Sequence, residues 1–213
     1  IWQYGETGVT GSGPNQLNTP VFDAALPHRH VLIVDQGNAR VIEVNRAKQI
    51  VWQYGMTGVT GDGFDQLTNP NSAELLGNGD ILIADENNNR VIEVNRAKQI
   101  VWQYGNHANT SILNGAAFAS RLNNGNTLIT DSGNSRVLEV NHDKKVVWSY
   151  VTNLRPGSTT MPFPTRAVRL RNGDTLISDQ FNHQVIEVNH DKQIVFTQGM
   201  IGVVGTGFDQ LNA

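Results

Sequence analysis

Apolar residues in this chain fall in short blocks separated by clusters of Gly, Asn and Asp, and no stretch carries a helical period. Residues 70 to 105 show the pattern clearly. A semi-apolar run from Asn71 to Leu76 ends at Gly77-Asn78-Gly79-Asp80, whose Asn-Gly step is a strong hairpin signal. Ile81 to Ala84 is continuously apolar, as expected of a strand covered on both faces, and it stops at the polar turn Asp85-Glu86-Asn87-Asn88-Asn89. Val91 to Val94 and Ile100 to Tyr104 follow, separated by the turn Asn95-Arg96-Ala97-Lys98. The pattern predicts four antiparallel strands, A to D, joined by tight turns.

The same order recurs along the chain. Residues Arg40 to Gly55 return unchanged at Arg90 to Gly105, and looser copies begin at Arg136 and Gln184. Strand B ends at Asp35, Asp85, Asp131 and Asp179; Asn38, Asn88, Asn134 and Asn182 follow three residues later, then Arg40, Arg90, Arg136 and Gln184. Strand D carries Trp52, Trp102, Trp148 and Phe196. A period near fifty residues with four strands per unit predicts an all-β repeat architecture, a β-propeller of four-stranded blades. The blades are expected at residues 20–55, 70–105, 116–150 and 164–198 within one repeat array spanning 1–213.

The Asp-x-x-Asn-x-Arg turn, with the Gly-rich linkers Gly11 to Pro20 and Gly61 to Pro70, resembles the NHL-repeat propellers. Blades three and four, through Asn124 to Asp131 and Val146 to Tyr150, are also similar to arylsulfotransferase-like and quinoprotein-like propellers. The resemblance covers essentially the whole chain and implies the fold. Because such propellers serve as lyases, lactonases, sensors and binding modules, it implies no single activity. A sulfotransferase-like activity would want a central His, and no His falls on an innermost strand A here.

The two ends duplicate each other. Residues 1–19 supply a lone D-type strand with Trp2 and a linker, while 199–213 supply a second linker leading toward a blade that is absent. The expectation is a segment of a larger ring, most plausibly six-bladed, or copies that complete one another. Self-association through open apolar blade faces is part of that expectation.

Charge narrows the function classes. A net charge of -3 and a pI near 6.1 give no basic field for nucleic acid. No apolar run is long enough for a membrane span, and the absence of cysteine removes disulfides and thiol chemistry. A secreted, periplasmic or cell-surface location is the expectation, and no cofactor is implied.

Most polar motifs recur in every repeat and read as scaffold. The Asp, Asn and Arg of the B–C turns should cap backbone amides and pair with one another, and Glu43, Glu93, Glu139 and Glu187 in strand C should also be structural. Gly8 to Gly13 and Gly58 to Gly63 lack the following helix that a phosphate cradle needs. Asp62 and Asp65 fall short of a calcium loop. His28 and His30, at i and i+2 in an A–B turn, are weak metal-ligand candidates without a third ligand.

Function should lie where the copies differ. The linkers 105–115 and 151–164 are rewritten, and Arg121, Arg166 and Arg169 replace small or apolar residues on strand A. With Arg155 and His107 they suggest a site for an anionic small molecule or glycan, on the face formed by the D–A and B–C loops. The favoured expectation is a non-catalytic binding or interaction module for such a ligand or a protein partner. A fragment of an NHL-like lyase or arylsulfotransferase-like enzyme, and a structural or engineered scaffold, remain alternatives.

Overall fold

A computed structural model of the chain describes residues 2–212. They form two compact units that divide after Ile112, inside the rewritten linker 105–115. Each unit holds two four-stranded antiparallel sheets built in strict sequence order. Every sheet is therefore a meander of adjacent strands, the arrangement that short turns permit.

In the first unit, Pro20–Ala25 (β1), Val31–Asp35 (β2), Arg40–Val44 (β3) and Ile50–Tyr54 (β4) make the first sheet. Pro70–Leu75 (β5), Ile81–Asp85 (β6), Arg90–Val94 (β7) and Ile100–Gly105 (β8) make the second. In the second unit, Ala116–Arg121 (β9), Thr127–Asp131 (β10), Arg136–Val140 (β11) and Val146–Val151 (β12) make the third sheet. Pro164–Arg169 (β13), Thr175–Asp179 (β14), Gln184–Val188 (β15) and Ile194–Gln198 (β16) make the fourth.

Each unit buries the face between its two sheets. Leu32, Val34, Val41 and Tyr54 of the first sheet meet Ala73, Ile81, Ile83, Ile92 and Val94 of the second, with Leu67 of the linker beneath them. In the second unit Leu128, Val137, Trp148 and Tyr150 of the third sheet meet Ala167, Ile177, Ile186 and Val188 of the fourth. The central strands of the first sheet pack on both faces, the far one under Trp2, Tyr4 and Leu17, as their continuous apolar runs require.

The lone D-type strand expected at the start is not a strand. Ile1 lies outside the described residues, and Trp2 to Tyr4 pair in no ladder because no C-type strand lies beside them. Instead Trp2, Tyr4 and Leu17 pack onto Ile33, Ile42 and Val44 on the far face of the first sheet. The Trp2 indole donates to the carbonyl of Arg46 at 3.1 Å, as Trp52 donates to Arg96 at 3.3 Å and Trp148 to His190 at 3.0 Å. The segment therefore occupies a D-strand's place against the first sheet without a sheet of its own.

Candidate functional site

The B–C turns form a repeated buried polar cluster. In the first three sheets one carboxylate oxygen of the Asp accepts a backbone N–H from the linker: Asn18 at 2.7 Å, Thr68 at 2.8 Å and Asn114 at 2.7 Å. The other oxygen accepts from the turn Asn and from the Arg Nε, at 2.7 Å for Arg40, 2.7 Å for Arg90 and 2.6 Å for Arg136. Asp35, Asp85 and Asp131 are completely buried. Burial pushes the carboxyls of Asp85 and Asp131 up, and the bonds from Arg, Asn and backbone pull them partly back. The expected pairing of Arg with Asp across the turn is present.

The fourth sheet breaks this pattern twice. Gln184 stands where the others have Arg, and Arg155 enters from the preceding linker to bond both Asp179 and Gln184, the latter at 2.7 Å. Arg155, an expected ligand contact, thus pairs its guanidinium with a buried carboxylate. At the position of Asn18, Thr68 and Asn114 the fourth sheet has Pro162, which carries no N–H. Asp179 Oδ1 consequently has no protein donor, although the residue is fully buried, and burial raises its pKa. It borders a cavity of about 230 Å³ together with His183, whose buried Nδ1 is likewise unpartnered.

Strand A places the remaining candidates at different heights. Arg121 pairs in register with Thr127 and Arg169 with Thr175, next to the A–B turns, whereas Pro164 pairs with Asp179 at the other end. Six residues of strand separate Arg169 from the Arg155–Asp179 cluster by about 17 Å. The structure thus divides the expected set: Arg155 belongs to the D–A and B–C loop end, and Arg121 and Arg169 to the opposite end. Arg166 is exposed near the middle of β13, with its guanidinium 4.9 Å from the Phe118 ring centroid. His107 is exposed in the first unit's last linker, with Nδ1 3.4 Å from the Asn87 carbonyl.

At the A–B end of the second unit lies a cavity of about 370 Å³ bordered by Ser120, Arg121, Asn124, Arg169 and Arg171. Arg169 stacks 5.3 Å from the Trp148 centroid and donates to Glu139 at 2.8 Å and to the Gly173 carbonyl at 3.3 Å. Asn124 and Asn126 also donate to Glu139, and with Arg169 they outweigh burial and hold its carboxyl below the usual range. Arg171 is exposed and sits at the start of the A–B turn, outside strand A, where no sequence expectation placed a ligand contact. The cavity lining contains three guanidinium groups and no carboxylate.

Of the weak metal candidates, His30 is engaged otherwise. His30 Nδ1 lies 2.6 Å from Glu43 Oε1, the place that Asn126 takes on Glu139, and the His28 ring is 6.5 Å away. Among the described residues no three His, Asp or Glu side chains converge to hold a metal ion. No described helix is long and apolar enough to cross a membrane.

No protein-family model matches the sequence, and no curated protein matches it significantly. Solved structures do share the fold. A protein of unknown function from Bacteroides caccae superposes with a TM-score of 0.60 at 16% identity, over 84% of this chain and 60% of that one. A streptogramin B lyase gives 0.61 at 13% identity, over 84% and 53%. A nidogen/laminin complex gives 0.61 at 12%, over 85% and 64%. At these identities the likeness shows the β-propeller fold alone, and the chain spans about 53% to 64% of those structures' lengths.

Proposed function

We propose that this chain is a non-catalytic propeller module that binds an anionic ligand, such as a sulfated or carboxylated sugar, in the A–B cavity of its second unit. One observation carries the reading: Arg121, Arg169 and Arg171 border one cavity of about 370 Å³ without a carboxylate in its lining. Arginine presents a planar fork of donors that matches sulfate and carboxylate oxygens. Stacking on Trp148 and the bond to Glu139 preorganise Arg169, so little side-chain freedom is left to lose on binding. The face differs from the one expected from loop variation, because the polarity of strand A carries its last residues to the turn end.

Titration calorimetry with heparin-derived disaccharides tests this, compared with their desulfated forms. Arg171→Ala removes an exposed cation without touching the core, and it should weaken binding about tenfold at low salt, with a smaller loss in high salt, where that cation's attraction is already screened. Binding that is absent, or indifferent to Arg171 and to sulfate, overturns the reading.

The alternative of a lyase fragment has one specific observation in its favour, the buried carboxylate of Asp179 beside His183 in the smaller cavity. Turnover abolished by His183→Ala at unchanged stability would support it. We also place the protein outside the cytoplasm, a reading supported by the fold it shares with a putative exported protein from Bacteroides fragilis; recovery of the native protein only from cytosolic fractions would refute that placement.

A further inference from the structure

Within each unit, one sheet's face is sealed by the next sheet in the same way. Phe196 and its neighbours on the fourth sheet present the counterpart of that face, and among the described residues no sheet covers it; Leu211 of the tail reaches only its Asp179 end. Leu32, Val41 and Tyr54 of the first sheet are completely buried beneath the second sheet, and Leu128, Val137 and Trp148 of the third sheet beneath the fourth. Their counterparts Leu176 and Val185 are half-exposed, Phe196 is 49% exposed, and every residue of β16 is exposed.

We propose that this face is covered by the first sheet of a second copy of the chain, with Trp2–Tyr4 of that copy entering as the outer strand beside β15. Three complementarities single out this occupant. The sheet that seals Leu32 and Val41 does so with Ile83, Ile92 and Val94, and the first sheet carries Ile33, Ile42 and Val44 at the same places. Arg96 of the second sheet pairs with Glu43 and stacks 5.5 Å from the Trp52 centroid; Arg46 is its counterpart in the first sheet, and Glu187 is the counterpart of Glu43. Among the described residues Glu187 accepts from the Asn172 amide, at 3.2 Å, and pairs with no cation such as Glu43 and Glu139 possess. Gln36 donates to the Pro70 carbonyl and Ser132 to that of Pro164, which leaves Gln180 to meet the carbonyl of Pro20.

The strand exchange follows from which segment fits the place better. Trp2-Gln3-Tyr4-Gly5 is identical to Trp52-Gln53-Tyr54-Gly55, the strand that buries Tyr54 completely in the first unit. The fourth sheet's own strand offers Phe196-Thr197-Gln198 there, without an indole N–H or a second aromatic ring. Trp2, already seated on the first sheet and stacked under Arg46 at 5.9 Å, would arrive with that sheet as one body and lie beside Glu187, as Trp52 lies beside Glu43. Such a contact uses two different surfaces, so it closes as a reciprocal dimer or extends as a longer chain.

Light scattering on size-exclusion fractions of the 213-residue chain, from about 1 to about 300 μM, tests the proposal. The expected result is a concentration-dependent species of twice 23.4 kDa or a higher multiple. Trp2→Ala should weaken self-association about 30-fold or more, as loss of a central Trp anchor does, and Glu187→Arg should weaken it by opposing Arg46. Glu187→Arg leaves the protein's interior untouched and serves if Trp2→Ala fails to fold. A chain that stays monomeric throughout the range overturns the proposal. So does self-association that strengthens in Trp2→Ala, which would mean that residues 2–19 obstruct the interface and the neighbour's own β16 forms it.

Discussion

Arg155 pairs with Asp179 from a linker, in the role that Arg40, Arg90 and Arg136 fill from strand C. The buried carboxylate is the constant of the turn, and the chain supplies a guanidinium to it by either route. A buried pair that loses one partner leaves an uncompensated charge, which typically costs about 3–5 kcal/mol. Arg155→Ala should therefore lower unfolding free energy by that order in urea, and Gln184→Arg in the same background should recover most of it. An Arg155→Ala protein with wild-type stability but impaired anion binding would return Arg155 to the ligand site.

Asp85→Ala tests the repeated turn itself. Asp85 accepts from Thr68, Asn88 and Arg90, so the truncation orphans a nearly buried guanidinium as well as two weaker donors. A loss of about 3–5 kcal/mol is expected, read from the midpoint of a denaturant titration, with ligand affinity unchanged under native conditions.

Pro162→Thr should stabilise the chain. It restores the linker N–H that Thr68 gives to Asp85, and a hydrogen bond to a charged group contributes about 1.5–3 kcal/mol. Losing proline's restriction of the unfolded chain returns about 0.4–1 kcal/mol of that. The melting temperature should rise by a few degrees, and the Asp179 carboxyl should titrate lower. No change in either would mean that solvent already satisfies Oδ1.

Arg29 adopts a φ of 62° in the turn where the other sheets have Gly79, Gly125 and Gly173 at 89°, 84° and 94°. A left-handed conformation costs a residue with a Cβ about 1–2 kcal/mol. Arg29→Gly should relieve most of this, visible as a higher urea midpoint with an unchanged slope.

Acid should act on the strand-C glutamates in a definite direction. Against the upward push of burial, His30 and Arg96 hold Glu43 low, and Asn126, Asn124 and Arg169 hold Glu139 low. A carboxyl that is more acidic folded than unfolded contributes stability above its unfolded value, near 4.5, and loses it as pH falls through the lower folded value. Asp85, Asp131 and Asp179 have raised values, so their contribution runs the other way and is lost as pH rises through them. Glu139→Gln should flatten the fall in stability below about pH 4.5. An equally steep fall in the variant would assign the acid limb elsewhere.

How much of the site could be read in advance depended on how local its cause was. The Asp35–Arg40 pairing spans five residues inside one turn, so spacing alone revealed it. That Arg155 serves Asp179 depends on a contact 24 residues apart through an irregular linker, and only the simultaneous loss of Arg at position 184 hinted at it. Arg171 has no template to depart from, because its own position in the A–B turn holds Pro27, Gly77, Asn123 and Arg171 in the four repeats.

The four-stranded repeat, its turn positions and the structural role of its recurring Asp, Asn and Arg were determined by the sequence by itself, since each follows from hydrogen bonds and apolar periods within one fifty-residue unit. Where the charged exceptions point was decided by tertiary structure. Strand polarity sent Arg169 and Arg155 to opposite ends of one sheet, and the stacking of sheets determined that Leu128 is sealed while its counterpart Leu176 is not. A side chain's periodicity says which face of a sheet it is on, whereas what covers that face is a property of the neighbouring sheet, and local pattern carries no record of it.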